Sequence, residues 1–352
     1  MSITDQNIPV NLKRDVSVSI LLYAAPVVLL FAYLWFTGQK PWLTVAPGEI
    51  PFRMPFLLES IFKNLSTWGL SALMIVVAIA EFSLGLYQKR WTRNEQILDL
   101  ICFVLPRFFI RPLTVYFTLK VLPFIFPGGA GIFSWVPFGF AFLIIAVADD
   151  LTQYWYHRLH HQIPWLWRFH RTHHSAPYMG MTMARRQNVI YTMFFSQTYL
   201  TAALTYFGLG YAAIAVRGIK SLITTGAHSS IKWDKPFYDI KWLRPVGWVM
   251  ERLISTPATH HAHHADTTDD GIGYYKGNFG NMFFIWDLIF GTGIITRKYP
   301  QSYGIKHYRE EEWYVQFLWP IFKSKKEGSE LADGGPQVAD DPVAPALVPG
   351  KV

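Results

Sequence analysis

Eleven of the chain's twelve histidines fall between His157 and His264, and they fall in sets. The first set is His157, His160 and His161. The second is His170, His173 and His174. The third is His260, His261, His263 and His264, and His228 stands alone between the second and third. On a helix, positions i, i+3 and i+4 share one face. His157 and His161 therefore point one way, as do His170 with His173 and His174, and His260 with His263 and His264. Each short helix then presents two or three imidazoles to a common centre. A solvated histidine tract that binds metal loosely does not keep such spacing three times over. His307, isolated in sequence, reads as an ordinary core or surface residue.

Neutral imidazole is a good ligand for iron, zinc, copper or nickel. Eight aligned rings exceed the needs of one ion, and a catalytic ion also keeps an open position. Two ions sharing eight or nine nitrogens is the economical count, with His228 as the ninth. The single cysteine, Cys102, excludes an intrachain disulfide, a four-cysteine zinc site and a thiolate-held iron–sulfur cluster.

What surrounds the histidines is apolar. Charged residues make up 16% of the chain and aromatic residues 17%, well under the ~25% charge of soluble domains. The runs Val16 to Phe36, Ser66 to Tyr87, Gln96 to Phe126 and Ile132 to Val147 read as candidate spans, the first as an uncleaved one. Pro127 to Gly131 turns the chain between the third and fourth. Val189 to Ala227 is long enough for two tilted spans or one re-entrant hairpin. Lys13, Arg14, Lys89, Arg90 and Arg93 place the outer ends of the first two spans on the cytoplasmic side, against a weaker opposing bias from Lys40, Arg53 and Lys63. The net charge of +8 flanks these runs, which points to anionic lipid headgroups and not to nucleic acid. Strand signals are weak throughout. The expected fold is all-α: a multi-pass transmembrane helical bundle with a cytoplasmic histidine-rich helical cap, in a bacterial inner membrane rather than the endoplasmic reticulum. Asn278 to Ile295 reads as an interface or packing segment, and Ser324 to Val352 as a disordered tail.

A redox-inert zinc ion would suit this setting poorly. Lipid chains offer unactivated C–H bonds, which resist hydrolysis and yield to oxidation, so iron is favoured. Asp150 lies seven residues before His157 on the same helical face, with Tyr154 on that stripe. Asp150 reads either as an acceptor for a ligand's distal N–H or as an ion-pair partner of Arg158 or Arg168. Pro164 ends the first histidine helix, and the following stretch reverses the chain so that the second set faces the first.

The pattern formed by Asp150, Tyr154, Trp155, His157, Arg158 and His161, then Leu166, Trp167, His170, His173, His174 and Ser175, resembles the fatty acid hydroxylase/sterol desaturase superfamily of membrane di-iron oxygenases. His228, Pro257, His260, His263 and His264 continue the resemblance. So do Asn278, Gly280, Trp286, Asp287, Phe290, Gly291 and Thr292. It implies a helical membrane fold, two iron ions, dioxygen as co-substrate and a lipid substrate. Carried over by position, the ligands are His157, His161, His170, His173, His174, His228, His260, His263 and His264. Asp150, Tyr154, His160, His261, Asn278 and Asp287 are candidates for supporting them, with His160 and His261 also able to substitute as ligands. Two departures stand out. Ser230 replaces the family's frequent Asn. Met179 to Tyr191 lacks the histidine–proline segment of sterol-acting members, and its Arg185 and Arg186 read either as a site for a lipid phosphate or carboxylate or as a solvated loop or topology signal.

The expected organisation is spans and loops over 1–131, a catalytic domain over 132–296, a cap segment over 297–323 and the tail over 324–352. The expected function is hydroxylation of a lipid C–H bond, with desaturation or sterol-type demethylation as the alternative. The chain carries no cytochrome b5 or ferredoxin signature, so electrons would come from a separate ferredoxin- or cytochrome b5-type donor with its reductase. Rival classes are a metal-ion transporter, for which Glu81, Asp99 and Arg107 would be path residues, a haem-b cytochrome and a zinc hydrolase.

Overall fold

The computed structural model describes residues 12–37, 70–84, 92–194, 196–306 and 310–335. Residues 66–69 and 85–87 of the second apolar run, Lys40, Arg53, Lys63, Lys89, Arg90, His307 and the tail beyond 335 lie outside the described residues. The described residues are helical. No strand forms among them, and two isolated bridges, Ile254 with Phe283 and Ala265 with Tyr303, are their only β pairing.

Among the described residues six long legs alternate in direction, with the histidines at one end. Helix α1 (Leu12–Thr37) leads away from that end. α2 (Leu70–Ser83) returns to it. α3 (Arg93–Tyr116) leaves again and is prolonged by a π turn and one further helical turn to Ile125. α4 (Phe138–Gln162) comes back. The cross-links fix these directions. Near the histidines Arg158 pairs with Asp15 at 3.3 Å and Trp155 Nε1 donates to Ser19 Oγ at 2.9 Å. At the far end Tyr33 packs on Phe140, so α1 runs antiparallel to α4.

The long run from residue 189 resolves into two helical legs. The outgoing leg is α6 (Val189–Met193) followed by α7 (Ser196–Leu204), and the returning leg is α8 (Gly210–His228). A π turn at Thr205–Leu209 joins them beside the turn that follows α3. There Gly131 N–H donates to Tyr206 O and Phe133 N–H to Phe207 O, both at 2.9 Å. Two segments, Arg93–Ile125 and Val189–His228, are long and apolar enough to cross a membrane by length and composition. Large apolar side chains such as Leu21, Trp35, Phe108 and Leu222 are exposed along α1, α3 and α8.

α4 and α8 meet through small residues. Ala141, Ile145 and Ala146 pack against Ala212, Ala213, Val216 and Met282, and small side chains let backbones approach closely. Below this seam Lys220 pairs with Asp149 at 2.8 Å and Asp150 at 2.9 Å, all three buried.

Proline punctuates the histidine end. Ile163 is extended (φ −105°, ψ 115°), as a residue before proline prefers, and ends α4. Pro164 then opens α5 (Pro164–His174), since a first helical turn needs no proline N–H. α9 (Lys235–Asp239) and α10 (Arg244–Leu253) follow α8. α11 (Pro257–His263) begins at Thr256, whose side chain forms a reciprocal capping box with Thr259. α12 (Ile285–Phe290) and α13 (Trp313–Leu318) complete the set.

The tail expected to lack order is packed over its described part, 324–335. Leu331 is buried with Val315 and Trp319. Glu330 pairs with Arg171 at 2.9 Å, and Ser324 and Ser329 both donate to Glu311. Composition concealed this because the anchors are single side chains inside a Gly- and Lys-rich stretch.

Candidate metal centre

α4, α5, α8 and α11 converge, and their histidines sort into two sets. One ligand nitrogen from each of His157, His161, His170, His174 and His263 lies within 4.8 Å of the others, and the same holds for His173, His228, His260 and His264. All nine are buried. These are the nine residues expected from the sequence. The helical spacing does not keep each cluster to one set, however. His173 departs from its neighbours His170 and His174, and His263 departs from His260 and His264. The sets abut, with the rings of His174 and His264 stacked at 4.2 Å.

The protons on these rings can be placed. A carbonyl oxygen only accepts, so a ring nitrogen at hydrogen-bond distance from one must carry the proton. His157 Nδ1 donates to Phe279 O and His263 Nδ1 to Gly277 O, both at 2.7 Å. His228 Nδ1 donates to Thr224 O at 2.7 Å and His173 Nδ1 to Arg186 O at 3.2 Å. In a neutral ring the other nitrogen, Nε2, then bears a lone pair. Yet His157 Nε2 and His263 Nε2 are 3.1 Å apart, and so are His173 Nε2 and His228 Nε2. One pair of facing lone pairs therefore sits in each set.

A shared proton is a poor remedy, because charging these rings is unfavourable. Burial holds His157 down to about 3, and burial together with neighbouring histidines holds His161, His170, His173, His174, His260, His263 and His264 well below the usual value. A cation between the nitrogens removes the conflict. Two nitrogens bound at ~2.1 Å to one ion stand ~3.0–3.4 Å apart, which is close to the separations seen. Both ring nitrogens of His170 and Nε2 of His174 are also buried with no hydrogen-bond partner, an unfavourable state for polar atoms that an ion bound at one nitrogen of each ring would relieve. The residues present fit a pair of metal ions.

The two other described histidines, His160 and His261, fall outside the sets. His261 Nε2 donates to Ser229 O at 3.0 Å and its Nδ1 faces Tyr303 Oη at 3.1 Å, so both nitrogens are engaged. His160 Nδ1 donates to Tyr156 O at 2.7 Å, and its ring packs between Tyr156 and Tyr191.

The carboxylates act differently from the expectation. Asp150 touches no imidazole and pairs with neither Arg158 nor Arg168. It accepts from Phe283 N and Trp286 Nε1 at 2.9 Å, opposite Lys220. Two helical turns of rise carry it past the histidines to the segment that supports them. Asp287 accepts from Phe279 N at 2.8 Å, Gly280 N at 2.6 Å and Thr292 Oγ1 at 2.6 Å. Burial nevertheless pushes its carboxyl up to about 7. It thus holds the peptide whose carbonyl takes His157. Gly280 is required here, because a Cβ would lie 2.5 Å from Phe283 O and 2.8 Å from Asp287 Oδ2. Asn278, at φ 56°, binds Thr259 O and Ile294 across the same loop. Tyr154 supports the loop's far end through Thr292 at 2.9 Å.

Three anchors were not legible. Arg186, read as a lipid-binding or solvated cation, is fully buried. It pairs with Glu95 and donates to Thr172 O, Ser175 Oγ and Gln316 Oε1. Arg185 instead reaches Ser221 on α8. Glu81 accepts from Ser229 Oγ, Ser230 N and Met181 N at 2.6–2.9 Å, fixing the chain after His228 where an Asn was expected. The main-chain carbonyl of Gln316 accepts from Thr172 Oγ1 at 2.8 Å. None of these belongs to a histidine spacing, so no local signal marks them.

A helical fold that buries nine imidazoles in two ion-sized sets defines a histidine-lined centre consistent with two metals. Residues 142–292 match the sequence profile of the fatty acid hydroxylase family. The chain is similar to alkylglycerol monooxygenase of Danio rerio, 28% identical over 178 residues, covering 48% of this chain and 34% of that protein. It is also similar to alkylglycerol monooxygenase of Xenopus tropicalis, 29% identical over 161 residues, covering 45% and 31%. The chain thus aligns with about a third of each of these relatives. No solved structure matches it.

Proposed function

We propose that the chain is a membrane-bound, non-haem di-iron monooxygenase that hydroxylates a C–H bond of a lipid. The observation that carries this reading is the facing lone pairs, one pair in each set, in a region too buried to hold a proton. The relatives' name makes an ether-linked glycerolipid the first substrate to assay. When bound, two irons would supply activation of dioxygen for attack on an unactivated C–H bond. Desaturation or sterol-type demethylation is the alternative outcome of the same centre.

The chain's own residues do the rest. His157, His161, His170, His174 and His263 would hold one ion, and His173, His228, His260 and His264 the other. Backbone carbonyls at 277, 279, 186 and 224 keep the proton on Nδ1 and aim Nε2 inward. Burial excludes water and so disfavours side reactions. The reaction C–H + O2 + 2e− + 2H+ → C–OH + H2O needs two electrons, which an external ferredoxin- or cytochrome b5-type donor with its reductase would supply. On this reading residues 1–131 hold spans, 132–296 the catalytic domain and 297–323 a cap segment. The histidine end faces the cytoplasm.

The transporter reading loses two of its path residues, since Glu81 is saturated by Ser229, Ser230 and Met181, and Asp99 accepts from Tyr178 at 2.7 Å. Metal analysis with Mössbauer spectroscopy of purified protein, beside lipid mass spectrometry of cells with and without the intact chain, tests the proposal. Two irons per chain and a lipid gaining one oxygen are expected. Zinc alone in active protein, or an unchanged lipid profile, refutes it.

A further inference from the structure

α10 has a face that the other described residues leave uncovered. Trp242, in the turn before it, is 76% exposed, and Val246, Val249 and Leu253 are 45–54% exposed. At 100° per residue these four side chains fall on one stripe of the helix, with Pro245 on its edge. The opposite side is committed to the protein. Gly247 lies so close to the Phe237 carbonyl that a Cβ would be 2.7 Å from it. Glu251 is fully buried and pairs with Arg252 and Arg297 at 2.6 Å. Beside the stripe lie two cations: Lys241 is exposed, and Arg252 stacks on Trp248 at 4.1 Å.

Aliphatic stripe, interfacial tryptophans and flanking Lys and Arg are the pattern of a helix lying in the plane of a bilayer surface. Position agrees with pattern. Leu253 O accepts from Phe284 N at 3.0 Å, just before α12, and at the other end of α12 Ile289 O accepts from Arg14. One turn beyond Arg14 the exposed apolar surface of α1 begins, at Val16, Ile20 and Leu21. The stripe therefore continues the lipid-like surface of the legs at the histidine end.

We propose that α10 is seated in the membrane interface. Trp242, Val246, Val249 and Leu253 lie among the outer acyl carbons, and Lys241 and Arg252 lie at the level of the headgroup phosphates. Three residues separate α10 from α11, so the seated helix ties the third histidine cluster to the bilayer surface. The proposal goes beyond the oxygenase reading and needs no metal.

Cys102, the chain's only cysteine, is buried, so Val249→Cys and, as an aqueous control, Asp239→Cys can each carry an environment-sensitive fluorophore in the full chain. The labelled proteins are placed in phosphatidylcholine/phosphatidylglycerol nanodiscs with and without doxyl-labelled lipid. The label at 249 is expected to be blue-shifted, severalfold brighter than at 239, and quenched by the doxyl lipid, in metal-free protein as well. A water-like spectrum at 249 overturns the proposal. A blue-shifted label that doxyl lipid leaves unquenched also overturns it, since protein and not lipid would then cover the face. Because the readout ignores turnover and iron, failure here is distinct from failure of the oxygenase reading.

Discussion

Asp287 reaches His157 through a single peptide. Its carboxylate accepts from Gly280 N at 2.6 Å, and the carbonyl of that same peptide, Phe279 O, accepts from His157 Nδ1 at 2.7 Å. The ring is therefore oriented by main chain, and the main chain by a buried acid. Asp287→Ala leaves the Phe279 and Gly280 N–H groups buried without an acceptor, at about 1–3 kcal/mol each, and frees the carbonyl that aims His157. We expect affinity at the five-histidine set to fall about 10–100-fold, with the four-histidine set less affected. Chelator competition followed by elemental analysis reads this.

Substitutions of the histidines should divide by set membership. His161→Ala and His264→Ala remove a candidate ligand from one set each, and metal content is expected to drop in both. His261→Gln should keep full metal content, because both ring nitrogens of His261 are already engaged with Ser229 and Tyr303. Metal-to-protein ratios on the three variants decide the matter. Metal loss in His261→Gln equal to that in His264→Ala would contradict the assignment.

Acid should destabilise the metal-free protein in a definite window. His157 is held at about 3 in the fold against 6.5 as its ordinary value, so between those limits the unfolded chain binds more protons than the folded one. Stability then rises with pH across the window and declines on acidification from about pH 6.5. The buried rings of both sets share this sign. Asp287, raised to about 7 from 3.8, works in the opposite direction between those values but is one group against many. Thermal unfolding of metal-depleted protein from pH 8 to pH 4 should show a falling midpoint, and a flat profile would refute the placement of neutral rings.

The buried pair of Arg186 with Glu95 ties α3 to the segment that anchors His173. Glu95→Ala leaves the buried Arg186 guanidinium with Asp99, 3.8 Å away, as its remaining carboxylate, so the cost is expected to fall below the about 3–5 kcal/mol of a fully stranded buried charge. The expected result is a clearly lowered unfolding midpoint. An equal loss is not expected for Arg185→Ala, whose contact with Ser221 is exposed. Denaturation of the two variants in parallel checks this.

Eight of the nine clustered histidines were legible because helical periodicity dictates which side chains share a face, whereas His228, alone on α8, was marked only by the ligand count and the family resemblance. The division of the nine into five and four was not legible, since it depends on how α5 and α11 tilt across one another. The acceptors were not legible either. A backbone carbonyl carries no residue type, so the sequence offered Asp150 as His157's partner while the fold uses Phe279 O. Arg186, Glu81 and Gln316 illustrate the same limit. Their partners come from elements distant in sequence, and a charge or amide in isolation does not reveal that it will be buried.

Two short helices contribute to both sets at once: α5 gives His170 and His174 to one and His173 to the other, and α11 with its C-cap gives His263 to one and His260 and the capping His264 to the other. Covalent neighbours such as His173 and His174 thus yoke the two cages. A rocking or sliding of either helix must carry both together, so breathing of the surrounding legs can shift the pair as a rigid unit but is poorly able to pull its halves apart.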